Sequence, residues 1–448
     1  MPTKPEILNA LQFDLDGLSN KWINRTSDPA YVFTYQFANG RQPSDLWRDY
    51  TGWKSMNGAE RDAVREGLDH IESIANIRFV EVSGQADPDL NLGKADLPGF
   101  AGIGGYNYSY YGDGGLAEYD AFTVFDTGLN LADNPSLILH EVGHALALRH
   151  PFEHDAELPA QFESNKYTVM SYDYNPDIQE NGDVLQLYDI LALQDLWGAN
   201  TETRKGNTTY YGPRSETVDA IYDAGGTDTL SAQKNVTPVQ IDLRQGQFSQ
   251  FNGYDDVVIA YGTVIENARG SRLGDTITGN TADNLIWGHG GFDEIDGGKG
   301  DDMVWGGSGD DRIFGGDGED TLRGNQGNDR ISGGWGHDTL IGHEGNDILL
   351  GNHGHDRMNG NSGNDVMTGG KGRDTFAFRE GGDHDRITDF KDDIDTILLD
   401  MVGVNSVHQA QKIAQQDGAD VVYDFGGGDV LRVEDIRIAA LWDDLTIA

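Results

Sequence analysis

The stretch that decides the fold of the C-terminal half is residues 297–305, which read GGKGDDMVW. It begins with a glycine-rich turn, carries an aspartate at its sixth position (Asp302) and has an apolar residue at its eighth position (Val304). The same pattern recurs every nine residues from residue 270 to residue 377, which makes twelve units. A short fixed period of this kind indicates a solenoid, in which each unit stacks on its neighbours.

Each unit is expected to form a six-residue turn and a three-residue strand, so that two units make one coil of a parallel β-roll. The eighth positions, from Ile277 to Phe376, are apolar throughout and are expected to stack into a shared core. Residues eighteen positions apart, such as Asp302 and Asp320, would then face each other on adjacent coils. A disordered Gly/Asp linker would show neither the register nor the apolar column, so we favour the roll.

The sixth positions are expected to bind several calcium ions. Facing carboxylates repel one another without a cation, and backbone carbonyls in glycine-rich turns can complete an oxygen cage suited to calcium. The predicted ligands are Asp293, Asp302, Asp311, Asp320, Asp329, Asp338, Asp347, Asp356, Asp365 and Asp374. The first two units carry Asp275 and Asn284 and lack a glycine at position four, so we expect them to bind calcium weakly or not at all.

Length and composition narrow the class of protein. A chain of 448 residues exceeds one ordinary core, which favours two or more domains. The formal charge of -43 argues against nucleic acid and anionic membranes as partners. No stretch is long and apolar enough for a transmembrane segment, and residues 1–20 lack the pattern of a cleaved export signal. Because the chain has no cysteine, a transition metal would need histidine and carboxylate ligands.

Residues 1–205 alternate strand-like and helix-like segments, which distinguishes them from the short fixed period of residues 270–377. We predict strands at residues 31–37, 77–82 and 121–125 from their β-branched and aromatic content. Asn57 and Glu60 are spaced to cap a helix, and Asn134 with Pro135 is expected to begin another. A final helix is predicted at residues 185–197, ending at Gly198.

The helix that begins near Pro135 carries the residues HEVGHALALRH, numbered 140–150. His140 and His144 are one helical turn apart and can reach one metal ion, and His150 can join them if the chain turns back. Three histidines would leave an open zinc position for water, whose proton Glu141 could accept as general base. Two hydrogen-bonded core histidines are the alternative for the pair alone, but His150 favours the zinc site.

These residues resemble the metzincin metalloproteases, and His150-Pro151 narrows the resemblance to the serralysins. The resemblance implies an α+β zinc-protease domain with a mixed twisted sheet and long helices, followed by an all-β toxin-repeat (RTX) calcium-binding roll. It makes Met170 the base of a turn under the zinc and Tyr172 a switchable ligand that stabilises the oxyanion. One departure is Ala147, where the family has glycine; a left-handed backbone there would cost roughly 1–2 kcal/mol.

The resemblance extends to flanking segments and predicts four regions. They are a catalytic domain at 1–205, linking strands at 206–269, the nonapeptide roll at 270–377 and a C-terminal β cap at 378–448. Residues 443–448, DDLTIA, resemble an uncleaved signal for a type I secretion system, so we expect a secreted, extracellular monomer.

The leading hypothesis is a secreted zinc metalloendopeptidase with one catalytic zinc ion, acting on proteins or peptides. The alternative is a calcium-dependent adhesion or binding protein with an inactive protease-like domain, which Ala147 favours. A lipase on the same roll would need a Gly-x-Ser-x-Gly motif, which the sequence lacks.

Overall fold

The computed structural model describes residues 1–12, 30–44, 46, 48–85, 87–110, 116–152, 158–177, 183–213, 218–401 and 403–447. Some predicted regions lie partly outside this set: residues 13–20 of the N-terminal segment, residues 214–217 of the linking segment and Ala448 of the export signal. The chain divides into two compact units. Unit 1 comprises Met1–Lys205, Pro213–Gly226 and Asp256–Thr263, and unit 2 comprises Gly206–Gly212, Thr227–Asp255 and Val264–Ala448.

The α-helices and strands follow in chain order. The first half contains α1 (Lys4–Leu11), β1 (Tyr31–Phe37), β2 (Thr51–Lys54), α2 (Gly58–Ile74), β3 (Ile77–Glu81), β4 (Leu90–Asp96), β5 (Gly102–Tyr110), β6 (Leu116–Asp126), α3 (Pro135–Ala145) and α4 (Leu187–Trp197). Short strands follow: β7 (Thr209–Tyr210), β8 (Asp219–Ile221), β9 (Thr229–Ser231), β10 (Gln240–Asp242), β11 (Phe248–Ser249), β12 (Val257–Ile259) and β13 (Asn267–Arg269).

The repeats contribute the regular strands of the second half. These are β14 (Thr276–Thr278), β15 (Leu285–Gly290), β16 (Glu294–Lys299), β17 (Met303–Ser308), β18 (Arg312–Asp317), β19 (Thr321–Gln326), β20 (Arg330–Trp335), β21 (Thr339–Glu344), β22 (Ile348–His353), β23 (Arg357–Ser362), β24 (Val366–Lys371) and β25 (Thr375–Arg379). The last elements are β26 (His384–Ile387), β27 (Thr396–Asp400), α5 (Val407–Ile413), β28 (Ala414–Asp417), β29 (Asp420–Gly426), β30 (Asp429–Val433) and β31 (Leu445–Ile447).

Unit 1 is built on a mixed sheet in the order β3-β1-β4-β6-β5, with β2 paired to β4. Strands β3, β1, β4 and β6 are parallel, whereas β5 runs antiparallel to β6 at the edge. Phe33 of β1 is buried and packs edge-on against Trp197 of α4, with ring centroids 5.2 Å apart. The sheet and helices thus share one aromatic core, as expected for an α+β domain.

The predicted strands and the predicted cap of α2 agree closely with the structure, whereas Asn134 occupies the N-cap position of α3 but its side chain makes no capping hydrogen bond. Asn57 accepts the N–H of Glu60 at 3.1 Å, and Glu60 accepts the N–H of Asn57 at 2.9 Å, so the capping box of α2 is confirmed. Strand 31–37 matches β1, and 121–125 lies within the longer β6. Helix α4 begins at Leu187 rather than 185, because Gln186 occupies the N-cap position with extended backbone.

Unit 2 contains the β-roll, whose strands form two sheets of parallel neighbours across the repeats. Alternate units join opposite sheets, and each strand pairs with the strand eighteen residues away, as in Ile295 with Ile313 and Val304 with Leu322. All twelve eighth-position side chains, from Ile277 to Phe376, are buried. The predicted fold class, an α+β unit followed by a parallel β-roll, is confirmed together with its register and core.

The last elements extend both sheets beyond the repeats. Strands β26 and β30 continue one sheet in parallel, and β30, β29 and β28 then form an antiparallel meander. Strands β27 and β31 continue the other sheet. Pairing of this kind covers the strand edges that the final coil would otherwise expose. Over the described part of the chain, every helix is too short or too polar to cross a bilayer.

Candidate metal centres

Helix α3 presents two histidines from one face. Pro135 is its first residue, a position where proline loses no helical hydrogen bond. His140 and His144 are one turn apart, with ring centroids 4.9 Å apart, and His140 is buried. The spacing that the sequence shows therefore becomes a pair of imidazoles on the same side of the helix.

The chain reverses directly after α3 and brings back the third histidine. The N–H of Leu148 donates to the carbonyl of Gly143 at 2.9 Å, and the N–H of Ala147 donates to that of His144 at 3.2 Å. These are the two bonds of a Schellman motif, whose penultimate residue must adopt the left-handed conformation. Ala147 does so, with φ of 71°. The turn that the family makes with glycine is therefore made here with alanine.

The reversal brings the Nε2 atoms of the three histidines together. His150 Nε2 lies 3.1 Å from His144 Nε2 and 3.3 Å from His140 Nε2. Two zinc–nitrogen bonds of about 2.1 Å at a tetrahedral angle hold their nitrogens about 3.4 Å apart. Both distances match the spacing of a common zinc ligand set, and the ligand atoms of the three histidines lie within 4.8 Å of one another, so the residues fit that metal.

The opposite ring nitrogens fix the tautomers of two histidines. Nδ1 of His140 is 2.7 Å from the carbonyl of Val169, and Nδ1 of His144 is 2.9 Å from that of Leu148. A carbonyl only accepts, so each Nδ1 carries the proton and each Nε2 keeps its lone pair for a metal. Burial and the neighbouring imidazoles of His140 and His150 lower the pKa of His144 to about 3, which keeps its ring neutral.

Glu141 lies beside the histidines in a cleft of about 470 Å³. The residues lining this cleft include Phe100, Leu137, His140, Glu141, Tyr172 and Tyr174. Burial raises the pKa of Glu141 to about 7, while a hydrogen bond from the backbone of Gly104 acts in the opposite direction. The carboxyl group can therefore exchange a proton near neutral pH, as a general base must.

The approach of β5 to α3 depends on glycine. A Cβ atom added at Gly104 would lie 2.0 Å from the carbonyl oxygen of Glu141, and one at Gly102 would lie 2.6 Å from its Cγ. Any larger residue at Gly104 would push the edge strand away from the helix. The Gly-rich start of β5 thus forms one wall of the cleft.

Met170 lies in a tight turn against Gly143 of α3 and is fully buried. A Cβ added at Gly143 would lie 2.7 Å from its sulfur, so this glycine of α3 provides the space for the methionine.

Sequence reasoning missed the residue that holds the turn, Asp189. Its carboxylate accepts the hydroxyl of Thr168 at 2.5 Å and the N–H of Val169 at 2.8 Å. Its position three residues after the N-cap Gln186 was the available signal.

Tyr172 lies at the mouth of the same cleft. Its ring centroid is 4.6 Å from that of His150 and 5.7 Å from that of His140, and 66% of its surface is exposed. The ring thus lies close to the ligand set and is largely exposed. Its predicted role as a switchable ligand stays a prediction.

The sixth-position aspartates of the roll form two ladders. The backbone N–H of Asp293 donates to Oδ1 of Asp311 at 2.9 Å, and that of Asp311 donates to Oδ1 of Asp329 at 2.8 Å. The same bond links Asp302 to Asp320 at 2.9 Å on the alternate coils. Each carboxylate is therefore fixed by the coil that precedes it.

The second oxygen of these carboxylates is buried and accepts no hydrogen bond from the described residues. Ten aspartates share this feature: Asp293, Asp302, Asp311, Asp320, Asp329, Asp338, Asp347, Asp356, Asp365 and Asp374. They are the ten residues predicted as calcium ligands. Burial and neighbouring carboxylates raise the pKa of Asp302 and Asp311 to about 8, so their ionised forms are unfavourable without a cation. Buried oxygens with no donor fit calcium.

The side chains at the sixth position of the first two units differ from the other ten, as expected. Asp275 accepts the N–H of Val239 with one oxygen at 2.8 Å and the N–H of Ser271 with the other at 2.5 Å. Asn284 accepts the N–H of Asn280 and donates to the carbonyl of Glu266. The protein itself satisfies both side chains, which supports the prediction that these units bind calcium weakly or not at all.

The ladders continue beyond the register that the sequence shows. The N–H of Asp365 donates to Oδ1 of Asp385 at 3.0 Å, and that of Asp374 donates to Oδ1 of Asp395 at 2.9 Å. Both acceptors are buried, and burial raises the pKa of Asp385 to about 9. Sequence reasoning missed them because the spacings are 20 and 21 residues instead of 18.

We predict that Ala147→Gly stabilises the protein. The left-handed backbone costs alanine roughly 1–2 kcal/mol, and glycine recovers part of this after its larger loss of backbone freedom. The free energy of unfolding, measured by urea denaturation in zinc and calcium, should rise by about 1 kcal/mol. The matched control is Ala145→Gly, the same change in the last turn of α3, which should lower it by about 1 kcal/mol. Equal losses from both changes would contradict a left-handed Ala147.

Comparisons with known proteins agree with this structure. Residues 269–304, 305–340, 314–349, 341–376 and 350–385 match the family model of the RTX calcium-binding nonapeptide repeat. The chain is 30% identical to serralysin of Proteus mirabilis, over 55% of this chain and 61% of the relative. It is 27% identical to serralysin G of Dickeya chrysanthemi (57% and 60%) and 29% identical to metallopeptidase AprA of Pseudomonas marginalis (56% and 61%).

The chain spans about three-fifths of the length of these curated relatives. The matches nevertheless confirm the resemblance on which the sequence predictions rest. The protein carries RTX calcium-binding nonapeptide repeats and is similar to the serralysins.

Proposed function

We propose that this protein is a secreted zinc-dependent endopeptidase that hydrolyses peptide bonds in proteins. The observation that carries the proposal is the convergence of three imidazoles, whose ligand atoms lie within 4.8 Å of one another, beside a buried carboxyl group in an open cleft. The names of the relatives, serralysin and metallopeptidase, support the same activity. Proteins or peptides are therefore the proposed substrates, and the proposed metal ligands are His140, His144 and His150.

His140, His144 and His150 would hold a zinc ion, which would supply the Lewis acidity that acidifies water and polarises a peptide carbonyl. Glu141 accepts a proton at a carboxylate oxygen and then donates it to the leaving amide nitrogen. Its raised pKa, near 7, matches both halves of this proton transfer. The buried position of the carboxyl group keeps it beside the histidines rather than in bulk water.

Two further residues support this arrangement. Tyr172, exposed at the mouth of the cleft, is proposed to donate its hydroxyl proton as a hydrogen bond to the developing oxyanion. Met170 is proposed to form the floor of the site, because it fills the space left by Gly143. The turn that contains Met170 also orients His140 through the carbonyl of Val169.

The β-roll is proposed to stabilise the protein outside the cell. Ten buried, unpartnered carboxylate oxygens disfavour the fold where calcium is scarce and favour it where calcium is millimolar. This would keep the chain unfolded during type I export and fold it afterwards. In this proposal the catalytic domain comprises residues 1–205, and linking strands at 206–269 connect it to the roll at 270–377. The last region, residues 378–448, carries the β cap and the uncleaved export signal. The protein is proposed to be a monomer.

The alternative is a calcium-dependent binding protein with an inactive protease-like domain. Its support was Ala147, which could have displaced the third histidine. Ala147 adopts the left-handed turn instead, and the three Nε2 atoms still converge. The alternative therefore loses the feature that favoured it.

We predict that Glu141→Gln abolishes peptidase activity while leaving zinc binding intact. Glutamine keeps the shape of the side chain but cannot accept the proton, so kcat/KM on casein in calcium buffer should fall by at least about 10²-fold. Zinc content, measured on the same preparations, is the control. Retained activity would contradict the role of Glu141, and two folded, zinc-loaded and equally inactive proteins would favour the binding-protein alternative.

We predict that Asp311→Asn weakens calcium-dependent folding. The amide keeps Oδ1 for the N–H of Asp293 but replaces the unpartnered, charged Oδ2. The calcium concentration at half-maximal folding, followed by circular dichroism, should rise on the order of 10-fold.

The matched control is Asp310→Asn, which removes the same charge one residue away. Asp310 is exposed and accepts the N–H of Asn328 with Oδ1, and asparagines at 328 and 346 make the same bond to the next coil. This variant should keep the calcium midpoint within about twofold. Equal shifts for both variants would mean that net charge, rather than the ladder, sets calcium dependence.

A further inference from the structure

Arg149 is the residue that directly precedes the third histidine, and it is buried. It contacts the last turn of helix α1 through three donors. Its backbone N–H donates to the carbonyl of Leu11 at 2.9 Å, and its Nε donates to that of Ala10 at 3.0 Å. Its Nη2 donates to the carbonyl of Asn9. One residue of the metal-site loop thus binds three consecutive carbonyls of another element.

These three carbonyls are the ones that a helix end leaves without partners. An α-helix has four such groups at its C-terminus, which for α1 are those of residues 8–11. The carbonyl of Leu8 accepts the N–H of Gln12 at 3.0 Å, and Arg149 supplies donors for the other three. A guanidinium at this end also interacts favourably with the helix dipole. Arg149 is therefore the C-terminal cap of α1.

Helix α1 is in turn anchored to the body of unit 1. Gln12, which follows α1, donates through Nε2 to the carbonyl of Ala192 and to Asp195 of α4, both at 3.1 Å. Gln12 and Leu148 also form an isolated antiparallel bridge. The helix thus provides a fixed point to which the loop between α3 and His150 is attached.

The attached loop is directly connected to two of the three imidazoles. Leu148 accepts the Nδ1 proton of His144 at its carbonyl, and Arg149 is covalently joined to His150. The loop also contains Ala147, whose left-handed backbone disfavours this turn. A loop that is strained at one end needs an attachment at the other to hold a ligand in one position.

We propose that Arg149 is a positioning residue for the metal ligand His150, acting by capping helix α1. The proposal rests on the proposed function in one respect, since it takes the three histidines as the metal site. Without the guanidinium, the carbonyls of Asn9 and Ala10 lose their donors, and the loop keeps only its backbone attachment to α1. His150 then samples positions outside the ligand set, so zinc affinity falls although none of the three ligands is changed.

The test is the zinc affinity of the full-length protein in calcium buffer, measured by competition with a chelator. Arg149→Met keeps the unbranched stem of the side chain but removes its donors, and its Kd for zinc should rise about 10- to 100-fold. Arg149→Lys keeps one charged donor group and should show a smaller rise, of about 3- to 10-fold. The lysine variant keeps the proposal testable if the methionine variant does not fold.

Two control variants separate the possible causes. Arg65→Met makes the same change at another arginine of unit 1, whose donors bind Asp62 and Glu81, and its zinc Kd should stay within about twofold of the unchanged protein. His150→Ala removes the ligand itself and sets the upper limit of the loss. The visible spectrum of the cobalt-substituted protein gives a second readout, since Arg149→Met should move it toward that of His150→Ala.

The outcomes distinguish this proposal from the proposed function. A folded Arg149→Met protein with unchanged zinc affinity and cobalt spectrum, beside a weakened His150→Ala protein, would overturn the role of Arg149 alone. An unchanged His150→Ala protein would overturn the three-histidine site and the proposal together. Selective loss in the Arg149 variants, with Arg65→Met unaffected, is the result that we expect.

Discussion

Buried lone pairs that face one another are stable only when a cation lies between them, and two parts of this chain are organised around that constraint. In unit 1 the lone pairs belong to three imidazole nitrogens, which hydrogen bonds on the opposite side of two rings aim at one point. In unit 2 they belong to ten carboxylate oxygens, each fixed by a backbone N–H on its partner oxygen. In both cases the protein orients lone pairs toward a common space that a cation would fit.

The two sites differ in how the chain constructs them. The ladder repeats one local unit, so each new coil adds two strands, two core residues and two carboxylates. The histidine site uses unique contacts instead: a left-handed Ala147, a methionine seated under Gly143 and a turn held by Asp189. A substitution in one coil therefore leaves equivalent contacts in the neighbouring coils. A substitution near α3 removes a contact that no repeat duplicates.

The sequence predicted most of the roll because the nine-residue period determines which residues pair and which are buried. The nine-residue spacing gave the register, the buried column and the ten carboxylates with unpartnered oxygens. It could not give Asp385 and Asp395, since their spacing of 20 and 21 residues breaks the period while the hydrogen bond persists. The pairing continues there because neighbouring strands, rather than sequence distance, set the geometry.

In unit 1 the sequence predicted the cap of α2 and the histidine spacing, which depend on nearby residues. It did not predict the roles of Asp189 and Arg149. Asp189 holds a turn twenty residues earlier in the chain, and Arg149 caps a helix 139 residues away. Such partners are determined by tertiary packing, which no local pattern records. For Ala147 the sequence predicted the free-energy cost of a left-handed backbone. Only the structure shows that the residue adopts that conformation.

The measurement that tests the central claim most directly is amide hydrogen exchange of the full chain, with calcium and after its removal by a chelator. The ladder amides, from Asp293 to Asp356, should be protected in calcium and exchange freely without it, while α2 and β1 keep their protection. Equal protection of the ladder amides in both conditions would contradict the account, because the buried carboxylates would then be stable without a cation.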